Sequence, residues 1–152
     1  MAAGILVDTN VLVYAHDPAE PRRQAKAIDL LAALVDTRVG RLPVQALSEF
    51  FWTVTRTRRP LLTAAEAEAQ VDRFAASWPV LDLTPAIVLE AVRGAREHRF
   101  SYWDAQIWAS ARLNQISLVI SEDFSHGSRI DGVRFANPFR PGVTIDDLLT
   151  RH

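Results

Sequence analysis

Short apolar runs alternate with segments of helical period along the chain, and this alternation restricts the fold more than any other feature. Ile5–Val7, Arg41–Pro43, Val80–Leu83, Leu118–Ile120 and Val133–Phe135 read as strands. Helical patterns fill the intervals. One runs from Pro21 to about Asp36, with Ala25, Ile28, Leu31, Ala32 and Val35 on a common stripe, and a second runs from Val44 to about Arg59, where Pro60 stops it. Thr63 to Glu66 has capping-box spacing for a third, which closes before Pro79. Thr84-Pro85 opens a fourth that reaches about His98, and Ser101 opens a fifth that ends near Asn114. Strands and helices in this order build a parallel sheet covered on both faces, so the expected architecture is a three-layer α/β/α domain with four to five strands. With 152 residues, 49% of them hydrophobic and 23% charged, the chain suits one globular domain over residues 1–152.

Several function classes are excluded early. There is no Cys, which removes disulfides, thiolate zinc sites and cysteine nucleophiles together. No apolar run approaches the ~18 residues of a membrane span. The start, Met1-Ala2-Ala3-Gly4, lacks the charged head and long apolar stretch of a secretory signal, so a cytoplasmic location is expected. The four histidines, His16, His98, His126 and His152, show no metal-ligand spacing. A net charge of −1 argues against a general nucleic-acid coat. Sixteen of the seventeen cations are nevertheless Arg, bunched at Arg22-Arg23, Arg56 to Arg59 and Arg93, Arg96, Arg99. Such clusters more often pair with surface carboxylates than with phosphate, although Arg suits both.

Ligands of an open parallel sheet bind outside the carboxyl ends of its strands, where loops and helix N-termini converge. Four acids fall at positions that this topology would gather there. Asp8 follows the first strand, Asp123 follows Leu118–Ser121, and Glu49 and Asp104 lie near helix starts. Asp104 shares a helical stripe with Ile107, Trp108 and Ala111, and Glu49 shares one with Ala46, Phe50 and Thr53, so both carboxylates continue an apolar face. A bare carboxylate in such a place costs several kcal/mol, and like charges nearby add to the cost, so a divalent cation or an Arg is needed as partner. Each acid also has a plainer reading. Asp104 completes a capping box with Ser101, Asp8 suits an N-cap, Glu49 serves a helix dipole and Asp123 is a loop acid. Their conjunction at one sheet edge favours the metal.

The segment Asp8-Thr9-Asn10-Val11-Leu12-Val13-Tyr14-Ala15 resembles the opening of PIN domains. Ser48-Glu49, Trp103-Asp104-Ala105 and Ser121-Glu122-Asp123-Phe124 resemble the later acidic motifs of that family, in the same order, and Val133–Phe139 resembles the ending of a subset. As a free-standing domain the chain resembles the VapC-type toxins of bacterial toxin–antitoxin pairs. The resemblance implies a Mg²⁺- or Mn²⁺-dependent endoribonuclease, homodimeric and restrained by a small antitoxin, with RNA as substrate. It further implies Asp8, Glu49, Asp104 and Asp123 as metal-binding, catalytic acids, with Thr9, Asn10 and Ser121 as supporting polar groups. Glu122 adjoins Asp123, and either acid could reach the ion. Arg56 and Arg59, at the end of the Glu49 helix, suit contact with RNA or antitoxin. Trp52, Tyr102 and Trp103 are candidates for base stacking, although aromatics at helical spacing more often belong to a core.

Two rival readings remain open on the residues. A haloacid-dehalogenase-like phosphatase also places an Asp after its first strand, but it wants a second Asp two residues on, where this chain has Asn10. A non-catalytic PIN-like scaffold would show no metal binding that depends on Asp8.

Overall fold

In the computed structural model the described residues are 4–150, so the expectations for Met1 to Ala3 and for His152 lie outside them. In chain order the elements are β1 (Ile5–Val7), α1 (Thr9–Tyr14), α2 (Pro21–Asp36), β2 (Gly40–Pro43), α3 (Val44–Arg56), α4 (Ala64–Ser77), β3 (Val80–Leu81), α5 (Pro85–His98), α6 (Tyr102–Leu113), β4 (Leu118–Ile120), β5 (Arg129–Ile130), β6 (Val133–Ala136) and α7 (Ile145–Thr150). The sheet order is β3-β2-β1-β4-β6-β5. All pairings are parallel except β5 with β6.

Alternate side chains of the central strands feed two cores. Ile5, Val7, Leu118 and Ile120 pack with Leu12, Leu30, Leu34, Phe50 and Phe74 from α1 to α4. Leu6, Val119 and Phe135 face the other way and meet Ile87, Ala91, Ile107 and Trp108 from α5 and α6. The period-2 alternation of a strand buried on both faces thus produces the three layers.

Two expectations need correction and one needs extending. Among the described residues the five expected strands pair in parallel as β3-β2-β1-β4-β6, and a sixth strand joins them antiparallel at the edge. The extra one, β5, is two residues long and joined to β6 through Asp131 and Gly132, both at positive φ. Such a turn makes a tight hairpin, and so short an edge strand carries no periodicity to read. Helix α3 ends at Arg56 rather than at Arg59. Thr57 turns extended there, and the N–H groups of Leu61 and Leu62 fold back onto the Val54 carbonyl at 2.9 and 3.2 Å, capping the helix a turn before Pro60 acts. Glu49 consequently lies in the middle of α3, not near its start. The caps of the later helices agree with expectation. Thr63 accepts from the Glu66 N–H, Thr84 from the Ile87 N–H and Ser101 from the Asp104 N–H.

Helices α5 and α6 approach closely because Gly94 leaves room for the Trp108 ring. A Cβ at Gly94 would stand 2.5 Å from Trp108 Cζ3, and Trp108 is itself held by a 3.2 Å hydrogen bond from its indole N–H to the Ile130 carbonyl. Gly94→Ala is therefore expected to lower stability by about 1–3 kcal/mol, despite the better helix propensity of Ala. A urea titration checks this, and an unchanged or raised midpoint would refute the packing argument.

Most Arg clusters are engaged by carboxylates, as expected. Arg23 pairs with Glu20 and Glu122, and Arg93 with Glu90, Glu97 and Asp131. The Arg93 guanidinium holds the Glu90 carboxyl below its ordinary range, and Asp131 is lowered by Arg93 and then His98. Among the described residues no helix is long and apolar enough to cross a membrane.

Candidate metal centre

The chain order of the strands reverses direction across β1 and β4. From β1 the sheet grows outward through β2 and β3, and the chain then returns to place β4 on the other side of β1. At such a switch point the loops leaving two adjacent parallel strands part and open a crevice. Asp8 leaves β1 there, its N–H continuing the ladder to the Ile120 carbonyl at 3.0 Å, and Asp123 leaves β4 beside it. Asp104 comes from the first turn of α6.

Carboxylate oxygens of Asp8, Asp104 and Asp123 all lie within 4.8 Å of one another. Oxygens on opposite sides of one Mg²⁺ or Ca²⁺ are about 4–5 Å apart, so the spacing fits a shared hard cation. Burial grades across the trio. Asp8 is buried, Asp104 half-buried and Asp123 exposed, so the crevice opens to solvent on one side.

Asp8 is fixed on both oxygens. One accepts the Thr9 N–H at 2.7 Å and the other accepts the Ser121 hydroxyl at 2.7 Å. The first bond makes Asp8 the N-cap of α1, so the plain reading and the functional one hold together. Burial nevertheless dominates and pushes its carboxyl up to about 7; the Ser121 and Thr9 hydrogen bonds oppose that rise, and the Asp123 and Glu49 charges add to it. Asp104 is likewise raised by burial, offset in part by Ser101 and increased by Asp123 and Glu49. Its backbone completes the capping box with Ser101 while its carboxylate joins the trio.

Ser121 uses its whole hydrogen-bonding capacity. Fully buried, it donates to Asp8 and accepts from the Asn10 amide at 3.1 Å and from the Asp123 N–H at 3.0 Å. The second hydrogen of that Asn10 amide reaches an Asp123 oxygen at 3.2 Å. Asn10 also accepts the Glu122 N–H at 3.2 Å, so β4's loop is tied to α1 on three sides.

Glu49 stands just outside the trio. Thr9 donates its hydroxyl to one Glu49 oxygen at 2.8 Å, and the Gln45 amide donates to the other at 2.6 Å. Glu122 is turned away altogether, because the Tyr14 hydroxyl and Arg23 Nε bind its carboxylate at 2.7 and 2.9 Å. Burial, followed by that bond to Glu122, pushes the Tyr14 phenol up to about 12. The structure thus brings Asp123, and not Glu122, together with Asp8 and Asp104.

Two residues at the site were not anticipated. Gln45 and Gln106, both buried, bond to each other at 2.8 Å beneath Glu49, and Gln45 also donates to the Trp103 carbonyl at 3.2 Å. Gln45 could have been noticed, because it precedes Glu49 by one helical turn. Its pairing with Gln106 joins two helices 61 residues apart in sequence and left no local signal. Trp52 and Trp103 are 59% and 62% exposed rather than core, while Tyr102 is half-buried and bonded to Gln106.

A parallel α/β domain whose switch point gathers three aspartates beside an open crevice defines the class of protein. The PIN domain family matches residues 5–129, and the chain belongs to that family. No curated protein matches it significantly. Similar solved structures share its fold. VapC20 of Mycobacterium tuberculosis, described as a Sarcin-Ricin loop cleaving toxin, is 23% identical with a TM-score of 0.66, over 86% of this chain and 99% of that one. VapBC2 from Rickettsia felis, bound to a DNA fragment from its promoter, is 14% identical with a TM-score of 0.66, over 88% and 97%. A toxin–antitoxin complex from Klebsiella pneumoniae is 16% identical with a TM-score of 0.65, over 90% and 98%.

Proposed function

We propose that this PIN domain is a divalent-metal-dependent endoribonuclease and the VapC-type toxin of a toxin–antitoxin pair. Membership of the PIN family supports the coarser statement, a hydrolase acting on nucleic acid. The observation that carries the finer one is the convergence of Asp8, Asp104 and Asp123 oxygens within 4.8 Å, where among the described residues no cationic side chain serves the buried Asp8. The donor set is carboxylate only, which suits Mg²⁺ or Mn²⁺.

A bound divalent ion would neutralise charge on the scissile phosphate and acidify an attacking water. The protein's own groups prepare for this. Ser121 and Thr9 N–H hold the Asp8 carboxylate in one orientation, and Asn10 holds Asp123 against it. Glu49, oriented by Thr9 and Gln45, offers a carboxylate at the crevice margin to orient or accept a proton from water. Attack by water rather than by the RNA 2′-hydroxyl leaves 5′-phosphate and 3′-hydroxyl ends, and 2′,3′-cyclic products would refute that route.

The partner proposed is a small antitoxin, as in the toxin–antitoxin relatives, and Arg56 and Arg59 flanking the end of α3 are candidate contacts for it or for RNA. A homodimer is proposed as well. Leu89 and Val92, exposed on α5, supply apolar surface for it, and sedimentation of the purified protein tests the assembly. The activity is tested by incubating total RNA with purified protein and Mn²⁺ or Mg²⁺, with EDTA as control. Discrete cleavage that vanishes with EDTA supports the nuclease. Intact RNA, together with no Mn²⁺ binding that depends on Asp8, would establish the scaffold reading instead.

A further inference from the structure

A groove of about 640 Å³ opens between α3 and α6, on the side of the acid crevice that Glu49 borders. Its walls are the exposed indoles of Trp52 and Trp103 with Leu83, its floor is the Gln45 and Gln106 amides, and Glu49 belongs both to its lining and to the margin of the acid crevice. We infer that this groove receives an unpaired nucleobase of the bound strand, next to the phosphate at the acid site, an inference that rests on the nuclease reading above.

Three features select a base over other occupants. Two indoles that are more than half exposed give flat apolar faces on which any base stacks. The floor is polar and held by hydrogen bonds. The Gln106 amide donates one hydrogen to Gln45 and its carbonyl accepts the Tyr102 hydroxyl, which leaves its second N–H without a partner among the described residues although the residue is only 4% exposed. A base edge carries acceptors that meet such a donor, whereas an apolar helix from a partner would leave it unsatisfied. Third, the Arg56 guanidinium lies 4.0 Å from the Trp52 ring centroid, placing a cation at the rim where the phosphate flanking a stacked base would run.

The chain itself offers the readout. Trp78 and Trp108 are buried, so the exposed Trp52 and Trp103 report contact with a base by quenching of their fluorescence. A short oligouridylate is titrated into full-length Asp104→Asn protein, which is expected not to cleave it, and compared with an abasic ribose-phosphate oligomer of equal length. Trp52→Ala and Trp103→Ala in that background are each expected to weaken oligouridylate binding by about tenfold or more, with the abasic oligomer unaffected. Gln106→Leu is expected to weaken it less and to shift preference among bases. Thermal melts verify that each variant folds.

Equal losses on both oligomers, no binding of oligouridylate by the parent, or unchanged affinity accompanied by dissociation of a dimer would each overturn the inference, the last identifying a second copy as occupant. Base-dependent binding by a wild-type protein that cleaves no RNA would retain the groove and reject the nuclease. Cleavage by the wild type with affinities unaltered in both Trp variants would do the reverse.

Discussion

Replacing Asp104 with Asn is expected to reduce Mg²⁺- or Mn²⁺-dependent RNA cleavage by about 10²–10³-fold while leaving the fold intact. The large effect and the small structural cost have separate origins. Asp104 serves α6 through its backbone N–H, which bonds to Ser101 at 3.2 Å, and Asn preserves that bond. Its carboxylate serves the trio, where an amide brings no charge to a site assembled from Asp8, Asp104 and Asp123. Single-turnover cleavage measures the loss, and calorimetric Mn²⁺ titration should show weakened binding in parallel. Retention of more than a tenth of the activity would remove Asp104 from the metal-binding set. Glu49→Gln makes the informative comparison. Because Glu49 lies outside the trio and is held by Thr9 and Gln45, its loss should lower the rate more than it lowers metal affinity.

The second large effect concerns stability. Asp8 has an ordinary carboxyl value of 3.8 and about 7 in the folded, metal-free chain, mainly because of burial. Between those values the folded state binds more protons than the unfolded one, so metal-free stability falls as pH rises from about 4 to 7 and levels off above. A shift of this size corresponds to about 4 kcal/mol lost across the window. Asp8→Asn removes that slope and should make the metal-free protein more stable at pH 8 by about 1–3 kcal/mol, less whatever the altered contact with Ser121 costs. The same substitution should abolish cleavage. Wild-type protein at pH 8 should gain more in melting temperature from Mg²⁺ than it does at pH 5, because only the ionised site recruits the ion. Parallel pH–stability curves for wild type and Asp8→Asn would contradict the burial argument. Stability is thus spent locally at Asp8 for a charged pocket, and the wider fold tolerates it through the two apolar cores on either side of the sheet.

The reach of local sequence is visible in particular elements. The strands Ile5–Val7 and Leu118–Ile120 were legible because a strand buried on both faces is a continuous apolar run, and the starts of α4, α5 and α6 were legible because Thr63, Thr84 and Ser101 cap within three residues of themselves. The strand and cap signals are short-range, written in neighbouring side chains and backbone. Asp8, Glu49, Asp104 and Asp123, with Thr9, Asn10 and Ser121, were instead singled out by the resemblance to PIN motifs, and the structure brings three of those acids together.

What only the tertiary structure decided lies across the sheet and between helices. It placed β4 against β1, and so brought Asp123 to Asp8 across 115 residues of chain. It set Glu49 outside the trio, turned Glu122 toward Tyr14 and Arg23, and paired Gln45 with Gln106 beneath two exposed indoles. It also ended α3 at Arg56, through a fold-back from Leu61 and Leu62. Sequence fixes which groups can bond locally, but burial, the distance between charges and the choice among neighbouring acids depend on which surfaces meet. Those meetings are decided by packing of the whole chain, because desolvation and Coulomb energies act through space and carry no trace in local order.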